Sequence, residues 1–288
     1  MDFIITLING ISLGGIYAMI ALGYTMVYGI AKMLNFAHGD IIMVGGYTVL
    51  VFLSINPILA IIASIIFCIL LGVIVEKVAY KPLRGASPLA VLITAIGVSY
   101  LLQSLAQIFF GSAAKYVVIA ELGNLNLGKI VISYGTLITL AASVVIMVAL
   151  TLFVKYTRVG RAMIAVSEDK SAASLMGINI NFIIAVTFAI GSALAALAGV
   201  FSLLRVPTIT PTYGALPGIK AFTAAVIGGI GSIPGAMLGG ILLGVVECVC
   251  NSFPTIAPYT TAIEFAILIV ILLVKPTGIL GKKRREKV

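Results

Sequence analysis

Residues 182–204 run for 23 positions without one formal charge. A helix of that length rises about 35 Å, enough to cross the ~30 Å hydrocarbon core of a bilayer. Lipid offers a backbone no hydrogen-bond partners, so such a run can only cross as an α-helix that satisfies its own amides. Comparable apolar stretches recur at 4–30, 57–75, 89–111, 133–154 and 259–274. Only 9% of the 288 residues are charged and the mean hydropathy is +1.24, against about a quarter charged in soluble domains. The expected fold class is therefore all-α: a polytopic membrane helical bundle of about eight or nine spans, with broken or re-entrant helices. No linker or shift in composition divides it, so residues 1–288 read as a single domain.

The net charge of +9 is clustered at Lys77/Lys81/Arg84, at Lys155/Arg158/Arg161/Lys170 and at Lys282–Arg285. The positive-inside rule assigns these clusters to the cytoplasm, and with them the loop 156–181 and the basic tail 275–288. Basic charge here encodes topology, so the expected partner is the lipid bilayer and not nucleic acid. Cys68, Cys248 and Cys250 lie in apolar context and read as buried free thiols. The start Met1-Asp2-Phe3 lacks the basic region of a cleavable signal, so the first helix is expected to remain as an anchor.

Several breaks interrupt the spans. Residues 35–40, NFAHGD, put polar and small side chains between two apolar runs, and the following 41–55 is short enough to be re-entrant. Residues 76–88 read as a polar, basic loop, and 112–129 as an external connection. Pro207, Pro211 and Pro217 make 205–218 too irregular for a continuous helix, leaving 219–227 as a half-helix before a second break at 230–235. Gly231, Gly235 and Gly239 recur every four residues, as do Ala236, Gly240 and Gly244. That spacing allows close helix packing in lipid; with Gly228, these glycines are candidate packing or hinge positions.

The chain holds no G-x-x-x-x-G-K-[ST], no H-E-x-x-H and no metal-spaced Cys/His set, and its single histidine excludes multi-histidine sites. No catalytic residue, metal or cofactor is expected, and any ATP-driven process needs hydrolysis from another chain. Ionisable residues at membrane depth are functional candidates because burying them is costly: His38, Asp40, Lys220, Glu247 and Glu264. Residues 35–40 resemble the broken helices that line substrate sites. A different constellation is the polar island 156–179, YTRVGRAMIAVSEDKSAASLMGIN, far longer than a reversal requires. Ser167 is placed to cap a helix over 168–176 opened by Glu168 and Asp169, with Gly177 as its left-handed stop. Ala172, Leu175 and Met176 would form its small apolar face. So short a helix is marginal in water, which points to a docking partner.

These blocks resemble the permease subunits of ABC importers for branched-chain amino acids. The resemblance covers nearly the whole chain and is carried by six blocks in order. They are NGISLGGIYAMIALGYTMVYGI (9–30), MLNFAHGDIIMVGGY (33–47), EKVAYKPLRG (76–85), TRVGRAMIAVSEDKSAASLMGIN (157–179), GIKAFTAAVIGGIGSIPGAMLGG (218–240) and KPTGILG (275–281). The resemblance implies a multi-pass protein of the bacterial-type plasma membrane, with a cytoplasmic C-terminus, forming half of a pore. Its implied partners are a second permease, giving a heterodimer, two cytoplasmic ATPase subunits and an external substrate-binding protein. It makes Arg158, Gly160, Arg161, Glu168, Asp169, Ala172, Leu175, Met176 and Gly177 the coupling loop. It places Asn35, Phe36, His38, Asp40, Pro217 and Lys220 near the translocation path. The substrate would be branched-chain amino acids or related small solutes. The competing class is an ion-coupled transporter or channel with His38, Asp40 and Glu264 as a relay, which leaves the polar island unexplained.

Overall fold

The computed structural model describes residues 2–120, 122–127 and 130–281. The tail cluster Lys282–Arg285 lies outside the described residues. Seven described helices are long and apolar enough to cross a membrane. They are α1 (Asp2–Ala31), α3 (Pro57–Val75, continued to Leu83), α4 (Pro88–Phe110), α5 (Tyr134–Tyr156), α8 (Ile180–Arg205), α10 (Ile233–Asn251) and α11 (Thr260–Val274, which with the 3-10 turn Ala257–Tyr259 before it reaches 18 residues). Two further apolar helices are shorter than a span and stand as half-helices: α2 (His38–Phe52, 15 residues) and α9 (Ala215–Gly228, 14 residues). The expected eight or nine spans thus resolve into seven membrane-length helices and two half-helices. Two short amphiphilic helices, α6 (Arg158–Glu168) and α7 (Lys170–Leu175), fill the polar island.

Local chemistry sets the starts. Asn56 accepts from the Ile58 and Leu59 amides ahead of α3, Ser87 from Ala90 ahead of α4, and Ser232 from Gly235 ahead of α10. Each supplies an acceptor for amides that the first helical turn leaves unpaired, and each is followed by a proline that has no amide to orphan.

α1 and α8 form the centre. Their apolar faces supply much of the buried core, including Ile16, Met19, Ile20, Leu22, Ile184 and Phe188. α10 crosses α1 at backbone contact: a methyl on Gly244 would lie 2.2 Å from the Gly14 nitrogen, and one on Gly240 2.4 Å from the Ala18 nitrogen. The four-residue small-side-chain pattern therefore packs helices within this chain. α3, α4, α5 and α11 sit outside this centre, with many apolar side chains exposed to what would be lipid.

Residues 76–83 correct the expected polar loop. α3 runs straight on through a π-helical turn (Glu76–Tyr80) and a 3-10 turn (Lys81–Leu83). The polar side chains find partners that keep the helix going: Glu76 is buried against Arg84, which also donates to Asn181. The connection after α4 also holds strands, β1 (Lys115–Tyr116), β2 (Asn124–Leu127) and β3 (Ile130–Ser133). β2 pairs with β3 as a hairpin, and β1 pairs with β4 (Thr208–Ile209) beyond α8.

Candidate functional site

The chain reverses twice inside the bundle. α1 ends at Ala31, and residues 32–37 turn back so that α2 begins at His38, beside Gly23 of α1. Eight residues of helix separate Gly23 from Ala31, so the His38 imidazole reaches a point about 12 Å in from the end of α1. The second reversal, after β4, brings the chain to Gly214 and starts α9 against the start of α2. A methyl on Gly214 would lie 1.8 Å from the Gly39 carbonyl oxygen, and one on Gly218 2.9 Å from the Gly39 Cα. Only glycine permits this crossing. Two half-helices therefore meet N-terminus to N-terminus within the bundle, where their dipoles concentrate positive potential.

Polar side chains gather at the junction. Asn35 is buried and accepts from the Tyr80 hydroxyl at 2.7 Å, which ties the first break to the π-helical turn after α3. His38 is buried with its ring edge-on to Tyr24 at 4.8 Å, and Tyr24 in turn meets Phe222 of α9 at 5.8 Å. Phe36 packs on the same Phe222 at 5.3 Å. Asp40 is buried and accepts from the Gln103 amide nitrogen of α4 at 2.9 Å, while that nitrogen also lies 3.3 Å from the Ser99 hydroxyl. Beside them a cavity of about 300 Å³ is lined by Phe36, Leu92, Ile96, Ser99, Gln103 and Ala215, among others. Gln103 carried no sequence signal of its own. Only its placement opposite a buried carboxylate distinguishes it from other helical amides.

Lys220 does not join this group, although it lies only two residues past the Gly39–Gly218 contact. Its ammonium sits 2.9 Å from Glu247 of α10 and 3.2 Å from Glu264 of α11, and the Tyr17 hydroxyl of α1 donates to Glu247 at 2.7 Å. One helical position swings a side chain by about 100°, so Lys220 faces α10 and α11 while Gly218 faces α2. The cluster ties four helices together. No ion pair among the described residues joins it to His38 or Asp40, so the set His38, Asp40 and Glu264 falls into two separate groups. Pro217 sits in the first turn of α9, where its missing amide costs no helical hydrogen bond.

The polar island differs in detail from the sequence expectation. Ser167 does not cap; its hydroxyl donates to the Ile164 carbonyl at 2.7 Å within α6. The cap is Asp169, whose carboxylate accepts from the Ser171 and Ala172 amides at 2.9 and 3.0 Å. Periodicity explains the shift. Gly160, Met163 and Val166 place one face of α6 on the core, so this helix continues through Glu168 before the backbone becomes extended at Asp169. Gly160 lets α6 fold back onto α5, since a methyl there would lie 2.4 Å from the Phe153 carbonyl. Gly177 has φ +78°, the left-handed stop expected. Arg158, Arg161, Glu168 and Ala172 are exposed.

α7 is held from below and bare above. Ala173 is its buried contact, and Lys170 donates to the Ala31 carbonyl, the last residue of α1, at 3.0 Å. Partial burial, and then the Arg84 charge, hold the Lys170 ammonium below the usual lysine range. Leu175 and Met176 are 89% and 82% exposed. Two adjacent large apolar side chains thus stand in the open, beyond the membrane-length helices.

The same face carries the second break. Gly228 and Gly235 meet in backbone contact, Gly239 packs on the Ala224 carbonyl, and Gly231 turns the chain at φ +94°. The Ile279 and Leu280 amides donate to the Ile227 and Gly228 carbonyls at 2.8 and 2.9 Å, so residues 275–281 cap the end of α9. Gly228, Gly235 and Gly239 serve packing and Gly231 serves the turn.

Residues 6–272 match the family described as branched-chain amino acid transport system / permease component. The chain belongs to that family. BraD of Pseudomonas aeruginosa, a high-affinity branched-chain amino acid transport system permease protein, is 46% identical, covering 98% of this chain and 97% of the relative. LivH of Escherichia coli K12, described in the same terms, is 42% identical over 99% and 98%. The fold is similar to PsaBC from Streptococcus pneumoniae, solved in complex with Fab. The two share 15% identity over 96% of this chain and 93% of that one, with a TM-score of 0.50. As a member of the permease component family, this chain is a multi-pass membrane transport subunit. The family match spans both half-helices, the polar island and the Lys220 cluster, so these are parts of one permease architecture.

Proposed function

We propose that this permease forms half of the membrane pore of an ATP-driven importer for branched-chain amino acids. A second, non-identical permease completes the pore, two cytoplasmic ATPases drive it, and an external binding protein delivers the substrate. α6 and α7 are the coupling element. The observation that carries this reading is α7: fixed through Ala173 and Lys170 to the end of α1, it presents Leu175 and Met176 to the outside. An apolar tip on a short helix suits a groove in a soluble partner, and its footing on Ala31 lies four residues before the break at Asn35. Movement of α7 is thereby passed to α1 and to the start of α2. The glycine break between α9 and α10, on the same face, absorbs part of the rocking. Basic residues Lys77, Lys81, Arg84, Lys155, Arg158 and Arg161 lie around this face, which supports its cytoplasmic assignment and that of the C-terminus.

The test is purification from the native membrane in mild detergent, followed by identification of the accompanying chains. ATPase subunits and a second permease are expected. A lone chain that moves leucine down an ion gradient in liposomes would overturn the reading.

A further inference from the structure

The cavity at the half-helix junction has the chemistry of an amino-acid site, and we infer that it holds the substrate zwitterion inside this subunit. The inference rests on the importer reading for its choice of ligand; the geometry stands apart from it.

Asp40 is an acceptor only, so the Gln103 amide must turn its nitrogen toward the carboxylate and its oxygen away from it. That leaves a carbonyl on the cavity side, polarised by a buried negative charge behind it. Hydrogen bonds in such a chain strengthen one another in a low-dielectric setting. The arrangement suits a primary ammonium, which needs acceptors, and it presents the charge of Asp40 without exposing it. Ser99 adds a hydroxyl oxygen as a second acceptor at the same corner. Across the cavity, Ala215 opens α9, whose positive end favours a carboxylate. Leu92, Ile96 and Phe36 complete an apolar wall for a branched aliphatic side chain. The volume of about 300 Å³ falls at the small end of the ~300–1,000 Å³ range of small-molecule sites. Ammonium, carboxylate and aliphatic group each have a separate receptor, so selectivity is not left to an external binding protein alone.

The test uses the purified complex with its ATPases and Ile96→Cys as a reporter, in a Cys248→Ser/Cys250→Ser background. Maleimide labelling of the cavity cysteine is timed with L-leucine, with 4-methylpentanoate, which lacks the ammonium, and without solute. Leucine is expected to slow labelling and 4-methylpentanoate to leave it unchanged. Adding Gln103→Leu should raise the leucine needed for half-protection by ~10-fold or more, the cost of one charge-assisted hydrogen bond. Gln103→Asn, which keeps both the donor and the acceptor, should retain part of the protection. Equal protection by both solutes, or undiminished protection with Gln103→Leu, overturns the inference. So does absence of protection in a complex that imports leucine with ATP. Loss of ATP-driven import from the unmodified complex, with protection intact, refutes the importer reading and leaves this one standing.

Discussion

Replacing Gly214 by alanine tests whether the half-helix junction is the working centre. The added methyl would lie 1.8 Å from the Gly39 carbonyl oxygen and 2.5 Å from its carbon, where real contacts essentially never fall below 3.0 Å. The starts of α2 and α9 must therefore part by about 1.2 Å at the least. Both neighbours are backbone, so no side chain can swing aside to relieve it. Overpacking of this kind costs ~1–3 kcal/mol. Gly97 in α4 is the control, because a methyl there meets nothing within 4 Å and alanine suits a helix better than glycine. Expected for Gly214→Ala are a lowered thermal midpoint of the purified protein and a large loss of leucine uptake, with ATPase subunits still bound. Gly97→Ala should match wild type in all three. Wild-type uptake and stability for Gly214→Ala would refute both the crossing geometry and its role.

Leu175→Asp with Met176→Asp should abolish ATPase association while leaving the thermal midpoint of the isolated permease unchanged, since both side chains are exposed; pull-down and thermal unfolding read the two effects. Lys220→Met leaves the buried Glu264 and the partly buried Glu247 carboxylates facing each other without a cation and should destabilise by ~3–5 kcal/mol, with most of that recovered by adding Glu247→Gln and Glu264→Gln, measured by denaturation in detergent. Lys170→Met removes the hydrogen bond to Ala31 and should lower solute imported per ATP hydrolysed more than it lowers ATPase binding, measured in proteoliposomes. Asp169→Ala removes the α7 cap at a cost of about 1 kcal/mol and should speed amide exchange over residues 170–175.

The spans were legible because lipid enforces a simple code: an uncharged run of helical length has no other stable conformation. Residues 182–204 were read for this reason, and so were the two breaks, although the chain leaves helix at 32–37 and 229–232 where 35–40 and 230–235 were expected. Gly177 was legible as a helix stop because its φ requirement is local. Ser167 misled because the capping signal of Ser, Glu and Asp is also local, while the face set by Gly160, Met163 and Val166 depends on contact with α5. Residues 76–83 misled similarly. Their charges look solvated in one dimension, and only the folded chain supplies Asn35 for Tyr80 and Asn181 for Arg84, which make a polar helix end worth continuing.

The sequence by itself determined the class of solvent, the places where helices must break and the absence of a nucleotide-hydrolysis motif, all consequences of composition and short-range spacing. The tertiary structure alone decided that the breaks meet, with Gly39 against Gly214. It alone turned Gln103 into the partner of Asp40 and sent Lys220 to Glu247 and Glu264 instead of to His38. Those pairings join residues up to some 175 positions apart, and nothing local in a chain specifies which of several equally polar side chains will face one another once the helices pack.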